Sequence, residues 1–402
     1  MKERLMVIGS GWQQVPLIET AKKMGCFVLA LDSNPNADGF KLADASEVVD
    51  SRDIRNAIHF FEKYKINAVV SDNDDYGLYT SGIVARKFGV PGPSLTAVTY
   101  SNNKRASRTT CQAAGIKQPP FHPCRTFEDL LDGATYVGGY PIIVKPVDNR
   151  GNFGVNKVDN ETELEIAFLD ALSNAHSREF IVEKFIEGTL MTVDGFSFSK
   201  DFHVSLGVAS KVMLGGHRRV AMHIIYPGNF DRDIIQRALE NNNSVTKALG
   251  YNFGHTHSEY IVDEHGEIWL IESTNRGGGV FTSSLIVPAI TELDLNKYFV
   301  SLALGVESIP TNIDPLNPMK NCALLTFFKF PKGKIKKIHG LDKARALQGI
   351  LTCALLVKEG DIIEDITTDA DRHGYAVIVA RNKEDLLEKE KKIKQLVVLD
   401  YE

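Results

Sequence analysis

Several features that would assign a protein to a common functional class are absent from this sequence. No apolar stretch reaches the roughly 20 residues that a membrane-spanning helix needs, so no membrane association is expected. The net charge of −5, from 46 basic and 51 acidic residues, offers no electrostatic basis for binding nucleic acid. Met1–Arg4 lead directly into the apolar segment LMVIG without the cleavable apolar region of a signal peptide. We therefore expect a cytoplasmic protein.

Cysteine pairs are also lacking. The five cysteines are scattered, odd in number and without a CxxC motif. Reduced thiols in a cytosolic protein are the simplest account, and a structural zinc site is not expected. His255 and His257 are conceivable zinc ligands, but no cysteine lies near them and the neighbouring ligands are oxygen atoms.

Two nucleotide-binding motifs are incomplete. The segment Gly9–Gln14 begins like a dinucleotide fingerprint but lacks its third glycine, and Asp32 at the end of the next strand could hold a ribose. A nicotinamide-dependent oxidoreductase is an alternative on this basis. The loop Asp148–Val155 contains no GxxxxGK[ST] pattern, so it is not a P-loop.

The length and patterning of the chain predict several domains. A chain of 402 residues exceeds one ordinary core, and its 43% hydrophobic and 24% charged content is typical of globular proteins. Up to about residue 100, apolar strands alternate with helical patterns, which predicts an α/β unit with a parallel sheet. Strands and helices are mixed from residue 140 to about 304, and the remainder holds further strands and a charged final helix at Glu384–Leu396.

The most informative segment is GHTHSEYIVDEHGEIWLIESTNRGGG, residues 254–279. Two β-rich halves flank the turn formers Glu264–Gly266, which predicts a hairpin. Glu259 and Glu272 lie in its apolar strands, with no lysine beside either, and a carboxylate there is costly unless its charge is compensated. Mg²⁺ held by one or two carboxylates and completed by substrate phosphates is the usual solution. A solvated hairpin with two chance glutamates is the alternative.

Two other segments have the chemistry of nucleotide contacts. Lys145 ends the strand PIIVKP beside a loop in which Gly151 and Gly154 could bring backbone N–H groups to anionic oxygens. The strand FIVEKFIEG stops at a glycine, where backbone groups could bind a purine edge and Glu183 or Glu187 a ribose hydroxyl. A surface lysine and a solvated edge strand are the alternatives.

A further segment, residues 211–227, has the pattern of a mobile loop across the site. It contains Lys211 and the basic pair Arg218 and Arg219, which could bind a substrate carboxylate because arginine forms bidentate pairs with that group. A solvated loop is the alternative.

Taken in order, these segments resemble an ATP-grasp enzyme of the carboxylate–amine (amino-acid and peptide) ligase branch, which is similar to the carbamoyl-phosphate-synthase-like ligases. The matching features are the helix bearing Lys104, the segment YPIIVKPVDNRGNFGV, FIVEKFIEG with VDGF, and the hairpin ending in Arg276. The resemblance covers most of the chain. It implies an N-terminal parallel-sheet α/β domain over 1–100, a two-part α+β ATP-grasp domain over 101–305, and a small C-terminal α+β domain over 306–402.

The resemblance also implies roles for individual residues. Contacts to ATP phosphates are implied for Lys104 and Lys145, under a flexible lid running from Gly151 to Gly154. The adenine pocket is implied for Glu183, Lys184, Phe185 and Ile186. The resemblance further places Mg²⁺, or Mn²⁺ in its stead, on Glu259 and Glu272, and sets Arg276 against the transferred phosphate as the catalytic residue.

The chain departs from the family pattern at two positions. Thr274 stands where an asparagine often follows the second metal glutamate, and Asn275 comes one place later, so we predict Asn275 as a further metal ligand. Leu190 replaces the usual ribose-binding glutamate, so either Glu187 takes over that contact or nucleotide affinity is weakened. These departures motivate an alternative, a catalytically weak nucleotide-binding regulatory protein.

The reaction implied by the resemblance is activation of a carboxylate as an acyl-phosphate and attack by an amine, giving an amide, ADP and phosphate. Positioning and electrostatics supply most of such catalysis. A purine-pathway-type ligase or carboxylase is the other alternative. The partners expected are small-molecule carboxylates and amines, together with a second copy of the chain in a homodimer, because symmetric dimers are common. Substrate choice is predicted to depend on Gly11, Trp12, residues 72–75 and the Arg218 loop.

Overall fold

A four-stranded parallel sheet begins the chain in the computed structural model, which describes residues 3–151, 153–199, 201–215, 220–306 and 309–402. Its elements are β1 (Arg4–Ile8), α1 (Val15–Lys23), β2 (Phe27–Asp32), β3 (Ala45–Val48), α2 (Ile54–Lys63), β4 (Ala68–Val70) and α3 (Asp75–Phe88). The strand order is β3-β2-β1-β4 and every pairing is parallel. β1, β2 and β4 are apolar and buried, as expected for a parallel sheet covered on both faces. The predicted α/β unit is confirmed.

An antiparallel four-stranded sheet follows. Its elements, with the helices that precede and cover it, are α4 (Leu95–Asn102), α5 (Lys104–Ala113), β5 (Phe121–Cys124), α6 (Phe127–Tyr136), β6 (Ile142–Pro146), β7 (Asn156–Val158), α7 (Leu164–Ser173) and β8 (Phe180–Lys184). The strand order is β5-β8-β6-β7. α6 and α7 bury their apolar sides against Ile142, Val144 and Val182 of this sheet. α4 spans the predicted domain boundary at residue 100.

The largest sheet has eight antiparallel strands in the order β13-β12-β9-β10-β11-β14-β18-β16. The elements of this part are β9 (Thr189–Ser199), β10 (Phe202–Met213), β11 (Ala221–Tyr226), α8 (Arg232–Ala248), β12 (Gly254–Val262), β13 (Ile268–Thr274), a π-helix (Thr282–Ile286), α9 (Val287–Thr291), α10 (Leu295–Ala303) and β14 (Cys322–Phe327). β12 and β13 form the predicted hairpin.

The tail of the chain extends this sheet and adds a small one. Its elements are β15 (Gly333–His339), α11 (Leu341–Arg345), β16 (Ile350–Leu355), β17 (Ile362–Ile363), β18 (Gly374–Ala380), α12 (Lys383–Leu396) and β19 (Val398–Tyr401). β14 pairs with β11 on one side and β18 on the other, while β15 pairs with β17 and β19. The tail therefore continues the central sheet and can contribute side chains to a site formed there.

No helix in the described ranges combines the length and apolar character that a membrane crossing requires.

Candidate active site

A cleft of about 450 Å³ lies between the antiparallel four-stranded sheet, the eight-stranded sheet and the start of α3. That volume is within the range of small-molecule sites. The predicted residues that line it are Lys104, Lys145, Gly151, Glu183, Lys184, Phe185, Ile186, Glu259, Glu272 and Arg276. Gly154, Glu187 and Asn275 are not among the lining residues, and Arg218 and Arg219 lie outside the described residues.

The two hairpin glutamates face each other. Glu259 of β12 pairs directly in register with Glu272 of β13, and both line the cleft. Like charges at directly opposed positions of an antiparallel pair repel, so cations are required nearby. The expectation that no lysine accompanies either glutamate was wrong. Lys104 Nζ lies 2.9 Å from Glu272 Oε1 and Lys211 Nζ 2.5 Å from Glu259 Oε1, because distant elements bring both lysines to the hairpin.

These groups have the chemistry of a magnesium site. Besides the two carboxylates, the buried hydroxyl of Thr274 lines the cleft and has no hydrogen-bond partner, so it is a further oxygen donor. Asn275 is not brought to the cleft, since strand alternation turns it to the other face, where its amide donates to the carbonyls of Phe253 and His255. No three His, Cys, Asp or Glu side chains form a metal cluster among the described residues, so phosphates and water would complete the shell.

Lys145 belongs to a buried ionic triad. Its Nζ lies 2.8 Å from Glu183 Oε2, and Arg108 Nε donates to Glu183 Oε1 at 2.7 Å. Arg108 also donates to the carbonyls of Leu270 and Ile271 in β13. Burial opposes ionisation of Glu183, but the charges of Arg108 and Lys145 lower the pKa of its carboxyl to about 2. Glu183 therefore orients two cations and is not available to a ribose.

The rest of the predicted adenine pocket is lined by residues of and after β8 and by Leu190 of β9. Lys184 Nζ is occupied by the carbonyl of Gly139 at 2.9 Å, while Phe185 and Leu190 line the cleft. Glu187 is exposed and is not among the lining residues, so its contact with a ribose stays a prediction. Gly154 has φ +73° and a Cβ there would lie 2.8 Å from Asn174 Cβ, which gives it a packing role.

Arg276 is held by the N-terminal unit. Its Nε and Nη2 donate to the two carboxylate oxygens of Asp75 at 2.8 and 2.9 Å, and its Nη1 donates to the carbonyl of Gly277. Burial opposes ionisation of Asp75, but the Arg276 charge lowers its pKa below the ordinary value. Burial would lower the pKa of Arg276, and Asp75 instead raises it. The guanidinium is thus permanently charged and fixed at the cleft wall.

A second network supports Glu259. Asp194 on β9 accepts from Tyr226 at 2.5 Å and lies 2.7 Å from Nδ1 of His257, whose Nε2 is 3.8 Å from Glu259 Oε1. Burial opposes protonation of His257, but Asp194 raises its pKa to about 8. The Lys211 charge lowers the pKa of Glu259 well below its ordinary value.

The two histidines considered as zinc ligands have different surroundings. His255 packs against the rings of Phe196 and Phe299, whereas His257 pairs with Asp194 at the cleft. At the fingerprint-like turn, Asp32 accepts from the backbone N–H groups of Ser10 and Asn34, so its carboxylate serves the turn itself.

The tail contributes Arg372, whose side chain is only 8% exposed and lines the cleft. Its guanidinium lies 3.7 Å from the centroid of the Phe327 ring, Nη2 donates to the carbonyl of Ala221, and the more exposed Asp369 is its ion-pair partner at 2.6 Å. Its Nε is buried without a hydrogen-bond partner.

Of the segments predicted to choose the substrate, residues 72–75 reach the cleft through Asn73 and Asp75. Gly11 and Trp12 do not line it. Trp12 instead packs between Phe281 and Tyr375, with ring centroids 5.0 and 5.1 Å away.

Comparison with known proteins gives two family matches. A family described as "ATP-grasp domain" matches residues 138–284, the part that holds most of the cleft. The chain carries an ATP-grasp domain. Residues 326–402 match "L-amino acid ligase C-terminal domain 2". The resemblance drawn from the sequence is confirmed, and the region around Arg372 belongs to the second match.

Individual relatives cover much of the chain. The L-arginine-specific L-amino acid ligase of Bacillus subtilis is 27% identical over 72% of this chain and 69% of its own length. A formate-dependent phosphoribosylglycinamide formyltransferase of Bacteroides thetaiotaomicron is 27% identical over 61% of this chain, and the match spans 64% of that protein. The crystal structure of an L-amino acid ligase from Bacillus licheniformis superposes with a TM-score of 0.83 at 20% identity, covering 100% of this chain and 99% of that one, a likeness of fold.

The fixed guanidinium of Arg276 leads to a testable prediction for the ATP-grasp domain. Arg276→Met is expected to lower kcat about 10²-fold, because the role predicted for Arg276 is to place a preorganised cation against the transferred phosphate, where charge would develop. It also leaves Asp75 without its partner and so destabilises the fold. Adding Asp75→Asn should restore the melting temperature but not the activity. ADP release and thermal unfolding measure the two effects, and recovery of kcat in the double variant would contradict the role.

Proposed function

We propose that this protein is an ATP-dependent ligase that activates a carboxylate as an acyl-phosphate and joins it to an amine, giving an amide, ADP and phosphate. The observation that carries the proposal is the directly opposed pair Glu259 and Glu272, facing a cleft that also holds Lys145 and Arg276. Mg²⁺ bound there would neutralise charge on the transferred phosphoryl group. The lysines and Arg276 orient the phosphates, and the walls limit access of water.

The substrates we infer are amino acids. The match of residues 326–402 to an L-amino acid ligase domain supports this, and so does the position of Arg372 from that region at the cleft. A guanidinium suits recognition of a carboxylate, and Met213, Ile224 and Phe327 provide an apolar lining on the same side. We infer that Arg372 contacts the carboxylate of one amino acid.

The test of the reaction is product analysis with Mg-ATP and pooled amino acids, other carboxylates and amines. ADP and phosphate that appear only with the pool, together with an amide detected by mass spectrometry, would support the ligase. AMP would indicate adenylation and contradict an acyl-phosphate. Binding of Mg-ATP without turnover on any pool would favour the regulatory alternative.

A purine-pathway-type reaction is the second candidate, favoured by the similarity to the formyltransferase. Formate with phosphoribosylglycinamide therefore forms a separate arm of the assay. ADP release confined to that arm would replace the amino-acid proposal.

The role of Arg372 is tested by substrate kinetics. Arg372→Gln is expected to raise the KM for one amino acid about 10- to 100-fold, the effect of losing a charged hydrogen bond, while the KM for ATP changes less than twofold. Asp369→Asn should lower the same KM, because its carboxylate competes for the guanidinium. Equal changes in both KM values for Arg372→Gln would contradict recognition by this residue.

A further inference from the structure

Two consecutive carboxylates at the start of α3 hold two arginines of the cleft that come from different segments. Asp75 binds Arg276, as described above, and Asp74 Oδ1 accepts from Arg150 Nη1 at 3.0 Å. Arg150 lies in the glycine-containing loop and lines the cleft. The N-terminal unit is thus joined to the phosphate-facing loop by a pair that neither the family matches nor the sequence motifs assign.

Asp74 is itself firmly placed. It caps α3, with the Tyr76 N–H donating to Oδ1 at 3.0 Å. Its carboxylate lies between two glycines: a Cβ at Gly9 would be 3.3 Å from Oδ2, and one at Gly77 would be 3.1 Å from it. A carboxylate fixed by a cap and by close packing is a rigid anchor for a partner that comes from a loop.

Contacts other than the one with Asp74 also position Arg150 and its loop. Its guanidinium lies 4.0 Å from the centroid of the Tyr76 ring, and the Tyr76 hydroxyl is 3.0 Å from His176 Nε2. Immediately before it, the carbonyl of Asn149 accepts from Lys104 Nζ at 2.7 Å. Lys104 also pairs with Glu272, so the loop position is linked to the predicted metal carboxylates.

We propose that Asp74 is a positioning residue that docks Arg150 and its loop against α3, and so holds the phosphate end of the cleft closed. The effect on catalysis rests on the ligase function proposed above. When the loop is docked, water is kept from the acyl-phosphate and the amine attacks its acyl carbon with phosphate leaving. When it is undocked, water attacks the same carbon, returning the free acid and phosphate, and ATP is consumed without amide formation.

Asp74→Asn isolates this role, because asparagine caps a helix as well as aspartate does but lacks the charge that holds Arg150. The matched control is Asp53→Asn, the same substitution at the cap of α2, where Asp53 accepts from the Asn56 N–H away from the cleft. Asp74→Asn removes a partly exposed ion pair, which corresponds to a change of about 3- to 5-fold in the docking equilibrium, whereas Arg150→Gln also removes the cation–π contact with Tyr76, for a total of about 3- to 10-fold.

The decisive measurement is hydrogen exchange of the segment Asp148–Gly151 with Mg²⁺ and a non-hydrolysable ATP analogue. Asp74→Asn should exchange about 3- to 5-fold faster than wild type and Arg150→Gln about 3- to 10-fold faster, the double variant no faster than Arg150→Gln, and Asp53→Asn like wild type. Exchange of Asp74→Asn equal to wild type, or additive effects in the double variant, would overturn the proposal.

The ratio of ADP to amide gives the catalytic readout. It should rise about threefold or more in Asp74→Asn and stay unchanged in Asp53→Asn, whereas a ratio equal to wild type would overturn the coupling role. If the wild-type protein formed no amide from any substrate, the ligase function would fail, and hydrogen exchange would still decide whether Asp74 docks the loop.

Discussion

Glu272→Gln is expected to lower kcat about 10³-fold while leaving the protein as stable as the wild type or slightly more stable. The loss follows from removing one of two predicted Mg²⁺ carboxylates, since such a metal contributes several kcal/mol of stabilisation to a phosphoryl group in transfer. The gain in stability follows from the register, because Glu272 lies directly opposite Glu259 and like charges there repel. Because the Glu272 side chain is 43% exposed, its replacement by glutamine removes little packing.

The control lies on the same hairpin. Glu267→Gln alters an exposed glutamate paired with Lys117, outside the cleft, and should change neither kcat nor the Mg²⁺ requirement. ADP release is measured across a Mg²⁺ titration, alongside urea unfolding. A Glu272→Gln protein that is destabilised but active once folded would show that this glutamate supports the hairpin and binds no metal.

The hairpin was predictable because its information is local. Residues 254–274 carry β-rich runs around a turn, and a period of two places Glu259 and Glu272 on one face once the pairing is known. The same holds for the final helix, observed at Lys383–Leu396. Local patterns therefore predict the face of the strand or helix on which each of these side chains lies, but they do not predict its contacts.

The partners of the hairpin were missed because they come from remote elements. Lys211 is 48 positions from Glu259, and only the adjacency of β10, β9 and β12 in the sheet brings them together. Arg372 reaches the cleft because β14 and β18 extend that sheet, for which no motif gives a signal. Nor does a sequence reveal that Asp75 at the start of α3 holds Arg276.

Two missed residues did leave a signal. Arg108 lies four positions after Lys104 on α5, and this spacing places both on one face of a helix, so a second cation at the site could have been inferred. Leu190, Thr192 and Asp194 occupy alternate positions of β9, so their side chains lie on one face of the strand. Leu190 and Thr192 line the cleft, and this could have indicated that Asp194 lies close to it. The choice of Asn275 as a metal ligand neglected the same alternation, which favours Thr274.

Breaking the buried triad should strongly destabilise the ATP-grasp domain. Glu183→Gln leaves Lys145 and Arg108 without their counter-charge, and breaking a buried pair in this way costs about 3–5 kcal/mol of unfolding free energy. Glu179→Gln provides the control, because Glu179 pairs with Arg105 and Arg125 at the surface, where such a pair is worth about 1 kcal/mol or less. Urea unfolding at pH 7 measures both.

The pH dependence provides an independent test of the triad. The carboxyl of Glu183 has a folded pKa of about 2 against an ordinary 4.5. A carboxyl with a depressed folded pKa stabilises the fold fully above its unfolded pKa and loses that contribution as pH falls towards the folded value, here about 3 kcal/mol between pH 4.5 and 2. Wild type should therefore lose more stability over this range than Glu183→Gln, by about that amount. If the free energy of unfolding changed with pH in the same way in both proteins, Arg108 and Lys145 would not be holding this carboxylate ionised. Glu183 would then not be the group that orients these two cations at the cleft.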